Sequence, residues 1–375
     1  MRIGLAIYNF NPKKGGAERY AYDLSINLLK KGHEVVVFCS RGVVLPGVTL
    51  VRLNTVPFPR WLRTLSFALN HKKYVKKYVN AFSLDVMLGF GNILEPDVYQ
   101  SHGGVQRIWM EREIASYDNP KERKLKAFLL KHSINQKIQE MIAKYPFRTG
   151  KYRRIVAISD MVKEHMTHHY NLKEDSIDTV YNGVDIERFR PAEVKPPGNL
   201  RILFSAGNFR LKGLFPLLLA AGELAKETKA FHLNVMGRGR RKRYSSLIEA
   251  LNLKDYVTFL GEKASPETVY RDSHILVHPT FYDACSLTTM EAMASALPVI
   301  TTRWNGASAL ISPDEGYVLE DPYDVSGLSS AIKALFDEER RDYMGKNARL
   351  KLKTYTIERN ADEMEKIFFE VCNGR

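Results

Sequence analysis

Short apolar runs rich in branched residues recur along this chain, each followed by a polar or glycine-bearing loop and then by a longer stretch with helical spacing. The first run, residues 3–7, reads as a buried strand. The loop YNFNPKKGG follows, and from Ala17 onward Ala21, Leu24 and Leu28 share one helical face, with Gly32 placed to end the helix. Residues 35–38 read as the next strand. The order restarts near Leu200: a strand at 202–206, the loop GNFRLKG, an apolar helical run at 214–221, and strands at 231–236, 257–260 and 275–278. A helix at 287–296 follows before Pro298 opens another buried strand. Repeated strand–helix order predicts parallel sheets covered by helices on both faces. Between the series, NGVDIERFRPAEVKPPGNL has the prolines and polar residues of an interdomain connection. At the C-terminus, Ala361, Met364, Ile367 and Phe368 form the apolar stripe of a helix placed to cross back onto the first domain. The expected fold is α/β, with two doubly wound Rossmann-like domains at 1–182 and 183–354 facing a central cleft, and a C-terminal helix within 355–375 packed on the first.

Composition agrees with two domains, since 375 residues at 45% hydrophobic content suffice for two cores. Cys39, Cys285 and Cys372 share no close spacing, so neither a disulfide framework nor a cysteine zinc site is indicated, and a cytoplasmic address is expected. The start reads as a strand rather than a signal peptide, and no apolar run reaches membrane-spanning length. Charge changes the picture more. The net charge is +14, and Arg60, Arg63, Lys72, Lys73, Lys76 and Lys77 lie in an acid-free stretch, interleaved with Trp61, Phe67, Tyr74 and Tyr78. A second basic stretch covers 106–154. Together they predict one basic face on the first domain, suited to anionic lipid or a phosphorylated acceptor and placing the chain peripherally on a membrane. No nucleic-acid module accompanies these charges. The cluster at 238–243 reads as a solvated loop.

Candidate chemistry gathers in HPTFYDACSLTTMEAMASALPVITT, where Asp283 sits in the loop after a strand and Glu291 in the helix that follows. That helix start, at Ser286 and Leu287, offers backbone N–H groups to a phosphate, and carboxylates on either side can accept from sugar hydroxyls. Asn208, Arg210 and Lys212 occupy the loop after the second domain's first strand, the two cations being placed to neutralise a diphosphate. Gly15 and Gly16 allow close backbone approach at the first helix. His165, His168 and His169 hold an i, i+4 pair without an intervening Glu, and no Asp-x-Asp pair occurs, so no metal or other cofactor is expected beyond a nucleotide-sugar co-substrate. Neither GGAERY nor GRGRRK completes a dinucleotide fingerprint, which disfavours a dehydrogenase.

Taken together, GGAERYAYDLSINLLKKGHEVVVF, VAISDMV, VYNGVDIERFRP, LKG and DACSLTTMEAMASALPVITT resemble glycosyltransferase family 4, the retaining enzymes of GT-B fold. DVYQSHGGVQRIWMERE and the length are similar to the bacterial lipopolysaccharide core glucosyltransferases. The resemblance implies that Glu291 holds the donor ribose, Asp283 the hydroxyls of the transferred sugar, Lys212 the diphosphate, and Gly16 approaches that diphosphate. It also implies that His102 lies near the reacting sugar; the glycines beside it suggest an exposed, ligand-facing position. Three positions depart from the family pattern. Asp283 stands where Glu is usual, Ala284 and Ser286 where glycines are, and Asn208 where an arginine is, leaving Arg210 as a displaced phosphate ligand. The implied activity is metal-independent, retaining transfer of a hexose, best UDP-glucose, to a lipopolysaccharide inner-core or similar lipid-linked sugar by front-face attack. A transferase acting on a capsule, an exopolysaccharide or a soluble acceptor, and a non-catalytic membrane or polysaccharide adaptor, are the alternatives.

Overall fold

The computed structural model describes residues 1–374, apart from the side chains of residues 76–82. Lys76 and Lys77 of the expected basic face therefore lie outside the described residues. The chain divides into two compact units, the first comprising Met1–Met110, Lys124–Gly183 and the residues from Ile357, the second Glu111–Arg123 and Val184–Thr356.

In chain order, the first unit contains β1 (Arg2–Ala6), β2 (Asn9–Phe10), α1 (Gly16–Lys30), β3 (Glu34–Cys39), β4 (Arg41–Gly42), β5 (Val48–Arg52), α2 (Arg60–Phe82), β6 (Val86–Gly89) and β7 (Val98–Ser101). Then come α3 (Gln106–Ala115) and α4 (Pro120–His132), of which residues 111–115 and 120–123 group with the second unit, followed by α5 (Ile134–Thr149), β8 (Arg154–Ala157), α6 (Asp160–Tyr170) and β9 (Ile177–Thr179). The main sheet is seven-stranded and parallel, in the order β5-β3-β1-β6-β7-β8-β9. Its core is made by alternate residues of the central strands, Ile3 and Leu5 against Val35 and Val37, packed on Leu24 and Leu28 of α1. Gly32 ends that helix with φ +81°, a left-handed conformation that a Cβ disfavours.

The second unit contains β10 (Leu200–Ser205), α7 (Leu214–Glu227), β11 (Phe231–Met236), α8 (Ser245–Ala250), β12 (Val257–Gly261), α9 (Pro266–Arg271) and β13 (Ile275–His278). It continues with α10 (Leu287–Ala294), β14 (Val299–Thr302), β15 (Gly316–Leu319), α11 (Val325–Ala334) and α12 (Glu338–Leu352). Its parallel sheet runs β12-β11-β10-β13-β14-β15. Strand order reverses direction between β10 and β13, and the crevice at the carboxyl ends of such a pair is where open α/β sheets bind ligands. In the first unit the corresponding pair is β1 and β6.

The last helix, α13 (Ile357–Asn373), belongs to the first unit and packs on α1, burying Ala361, Met364, Ile367, Phe368 and Val371 in the same core. His33 Nε2 lies 2.6 Å from Glu365 Oε1, and Lys31 Nζ 2.8 Å from Glu365 Oε2. No helix among the described residues is long and apolar enough to cross a membrane.

Two charge expectations change in the structure. The basic stretch 106–154 does not belong to one domain, because residues 111–123 group with the second unit. On α2, side chains advance about 100° per residue, so Arg60, Arg63, Lys72 and Lys73 point in different directions rather than forming one stripe. Arg60 and Lys73 are exposed, Arg63 lies over the Tyr8 ring, and Lys72 is drawn into an ion pair with Glu95 at 2.9 Å.

Candidate active site

The loop after β10 and the loop after β13 meet at the strand-order reversal. Gly213 makes this possible: it has φ +85°, and a Cβ there would lie 2.0 Å from the Pro279 carbonyl oxygen. Phe281 N donates to Leu211 O at 2.9 Å, tying the loops together. Asn208 Oδ1 accepts from Leu211 N at 3.3 Å, so this side chain shapes the loop that presents Lys212. Lys212 Nζ donates to Tyr282 O at 2.8 Å and lies 2.6 Å from Asp283 Oδ2.

Asp283 is held in register by Asn305, a wholly buried residue. Asp283 N donates to Trp304 O at 2.9 Å, and Gly306 N donates to Asp283 O at 2.7 Å. Asn305 Oδ1 accepts from Ser286 N and Ala307 N, while its Nδ2 donates to Thr289 Oγ1 and Thr301 Oγ1. Ser286 caps α10, its Oγ accepting from Thr289 N at 3.2 Å. Ser286 therefore uses its hydroxyl to organise the helix start; the remaining amides of that first turn, Leu287 among them, face the end where the helix dipole is positive. One turn in, Glu291 Oε2 accepts from the buried Tyr270 hydroxyl at 2.8 Å.

Electrostatics follow from this packing. Burial alone would push the Asp283 carboxyl up, but the Lys212 ammonium and then His278 outweigh it and hold it well below the usual carboxylate range. His278 Nε2 lies 3.6 Å from Asp283 Oδ2, and burial lowers the imidazole despite that carboxylate. The centre is thus an ionised Asp283–Lys212 pair beside a neutral histidine, with a second carboxylate nearby on α10. Such a set can accept from sugar hydroxyls and neutralise a phosphate.

Arg210 is placed differently from the expectation of a phosphate ligand. Its Nη2 donates to Glu113 Oε1 at 2.6 Å, its Nη1 to Glu113 O at 3.0 Å and to Ser116 Oγ, and its guanidinium stacks over Tyr117 at 3.7 Å. The side chain clamps residues 111–123 to the rest of the second unit. Arg112 joins it, donating to Phe281 O at 3.0 Å and stacking on Trp304 at 3.7 Å. Arg243, read as part of a solvated loop, instead donates to Asp118 and Glu122, both at 2.8 Å. No sequence spacing announces these pairings, because the partners are roughly 95 to 170 positions away; Asn305, His278 and Tyr270 have partners within 21 positions, but at spacings that match no motif.

In the first unit, Gly15 caps α1 in extended backbone and Gly16 opens it. His102, in the loop after β7, is not an exposed ring. It packs against Tyr20 and Phe90, with centroids 4.3 and 5.2 Å away, and burial lowers it to about 3, so it is neutral. The neighbouring glycines shape the loop: Gly104 has φ +69° and its carbonyl accepts from Ser101 Oγ at 3.1 Å. His165, His168 and His169 fall on α6, and among the described residues no group of three His, Cys, Asp or Glu side chains is assembled to hold a metal ion.

Residues 14–188 match the family model described as Glycosyltransferase Family 4, and residues 185–351 that described as Glycosyl transferases group 1. Among curated proteins, the D-inositol 3-phosphate glycosyltransferase of Corynebacterium kroppenstedtii is 27% identical over 217 residues, 52% of this chain and 48% of that protein. The one from Paenarthrobacter aurescens is 27% identical over 237 residues, 59% of this chain and 58% of that protein. The match thus spans about half the length of these relatives. Among solved structures, sucrose-phosphate synthase from Thermosynechococcus elongatus superposes with TM-score 0.81 at 18% identity, covering 100% of both chains. WaaG, a glycosyltransferase involved in lipopolysaccharide biosynthesis, gives 0.77 at 18% identity, covering 98% of this chain and 99% of that one. HepE from Anabaena, in complex with UDP and glucose, gives 0.71 at 16%, with coverages of 98% and 99%. At these identities the structures establish the GT-B fold.

Proposed function

The chain belongs to the glycosyltransferases, with a Family 4 first half and a group 1 second half, and from that premise we propose that it is a metal-independent, retaining hexosyltransferase using a nucleoside-diphosphate sugar. UDP-glucose is the proposed donor, a choice supported by the bound UDP and glucose of a neighbour with this fold. The observation that carries the reading is the Lys212–Asp283 pair beside the α10 start, with Glu291 one turn further on. A diphosphate arriving there shares Lys212 with Asp283, while the carboxylate's remaining lone pairs receive hydroxyls of the sugar and Glu291 those of the ribose. In the reaction, the acceptor hydroxyl oxygen bonds to the anomeric carbon as the bond from that carbon to the diphosphate oxygen breaks. The electron pair leaves with the diphosphate, and the hydroxyl proton passes to the departing phosphate. Lys212 and the α10 amides stabilise that leaving charge, one such donor being worth about 3 kcal/mol.

The proposed acceptor is a sugar of a lipid-linked glycan such as the lipopolysaccharide inner core, reached at the inner face of the cytoplasmic membrane. Support comes from the net charge of +14 and from α4, whose Leu125, Phe128 and Leu129 are exposed on one face with Lys124 and Lys131 exposed on the same helix.

Calorimetric titration with UDP-glucose, UDP-galactose, UDP-N-acetylglucosamine, GDP-mannose and ADP-heptose tests the donor. One of them should bind selectively and be turned over, with Glu291→Ala and Lys212→Ala each lowering kcat/KM by about 100-fold or more. Binding of none, or undiminished turnover in both variants, overturns it.

A further inference from the structure

Outside the Asp283 centre, the first unit contains a pocket of about 150 Å³ at the carboxyl ends of β6 and β7. Phe90, Asn92 and His102 come from the loops after these strands, Gln106 from the start of α3, and Gln139 and Ile142 from α5. Although the chain is strongly basic, no Lys, Arg, Asp or Glu lines the pocket. Two polar atoms of the lining are buried without a hydrogen-bond partner, Asn92 Oδ1 and His102 Nε2. Gln106 Nε2 donates to Gln136 Oε1 and lies 3.5 Å from Gln139 Oε1.

We propose that this pocket seats the acceptor as an uncharged sugar ring, recognised through its hydroxyls, and that it does not take a phosphorylated ring. The inference rests on the transferase reading and specifies its acceptor. An orphaned amide oxygen needs a donor. A sugar hydroxyl both donates and accepts, so it satisfies Asn92 Oδ1 and can meet His102 Nε2 in either tautomer, whereas an ionised phosphate offers acceptors only. A phosphate buried without a cation also loses its hydration uncompensated. Phe90 and Ile142 supply apolar surface for ring C–H groups, and about 150 Å³, the size of a cavity that accommodates benzene, limits the occupant to no more than one ring. Cationic residues on α2 and α4 would then meet lipid or more distant phosphates rather than the reacting ring.

The test is saturation-transfer NMR and acceptor kinetics on the full chain with matched probes: methyl α-D-glucopyranoside against glucose 6-phosphate, and myo-inositol against myo-inositol 3-phosphate. The expected result is at least a tenfold preference for the neutral member of each pair, with Asn92→Leu and Gln139→Leu raising the KM for it about tenfold or more while circular dichroism shows both variants folded. Equal or tighter use of the phosphorylated members, or unchanged KM in both variants, overturns the proposal. Nucleotide-sugar binding is measured separately on the same wild-type sample. Neutral-ring binding without nucleotide binding would sink the donor reading and leave the pocket standing, and the reverse pattern would sink the pocket alone.

Discussion

Asp283 shows how much a single side chain depends on what surrounds it. Its folded carboxyl is held below the unfolded value, so the Lys212 pair stabilises the fold above the ordinary carboxylate range and that contribution is lost as pH falls below it. Lys212→Met removes the opposing charge and should lift Asp283 back toward the range that burial favours, measured by NMR titration of the carboxyl; an unmoved Asp283 would contradict the pairing. A second residue gives a cleaner pH signature. His71 is buried against Phe38, both ring nitrogens lack partners, and burial lowers it to about 3. The folded imidazole stays neutral while the unfolded one protonates near 6.5, so stability is full above that value and falls as pH drops below it. His71→Leu should flatten that acid slope by up to about 1.4 kcal/mol per pH unit, read from urea unfolding at pH 5 and 8. The placement of Asp283, Lys212 and Glu291 in the loops after strands and in the helix that follows was legible in the sequence, because such positions can be read from the local string. Asn305 and Tyr270 were not, since each acts only through partners supplied by folding, and Arg210 was read as a phosphate ligand because Glu113 stands far from it in the chain.

Among elements, the strands with continuous branched runs, β1, β3, β11 and β13, are where the sequence places them to within one residue. α13 is legible for a similar reason, because an apolar stripe at helical spacing must find a core. Phe368→Ala should cost about 3–5 kcal/mol, seen as a lowered urea midpoint of the first unit. What the sequence pattern missed is that residues 111–123 group with the second unit, a placement that depends on single pairings. Glu113 is buried and Arg210 nearly so, and Glu113→Ala, which leaves the guanidinium without its carboxylate, should destabilise the second unit by about 3 kcal/mol. Arg243→Ala, at a half-exposed pair, should cost less than about 1 kcal/mol. If denaturation gives the two variants equal losses, the clamp does not rest on Arg210.

For the molecule as a whole, two Rossmann-like units were readable from the repeat of strand and helix, and the strand-order reversals explain why the candidate residues lie in the loops after β10 and β13. The positive charge was readable in amount but not in placement, because helical rotation disperses the α2 cations while folding leaves Leu125, Phe128 and Leu129 of α4 outward. Binding to vesicles containing anionic lipid should therefore weaken with salt and fall at least tenfold in Leu125→Asp/Phe128→Asp; sedimentation unaffected by either change would remove α4 from the proposal. The proposed transfer retains configuration at the anomeric carbon. It is tested most plainly by proton NMR of the glycoside formed in a single turnover from UDP-glucose, the proposed donor, with the carbon label placed at C1. The label should enter the acceptor with the small anomeric coupling of an α-linked glucose; a β-linked product with its large coupling, or a label that stays in nucleotide sugar, would rule out retaining transfer.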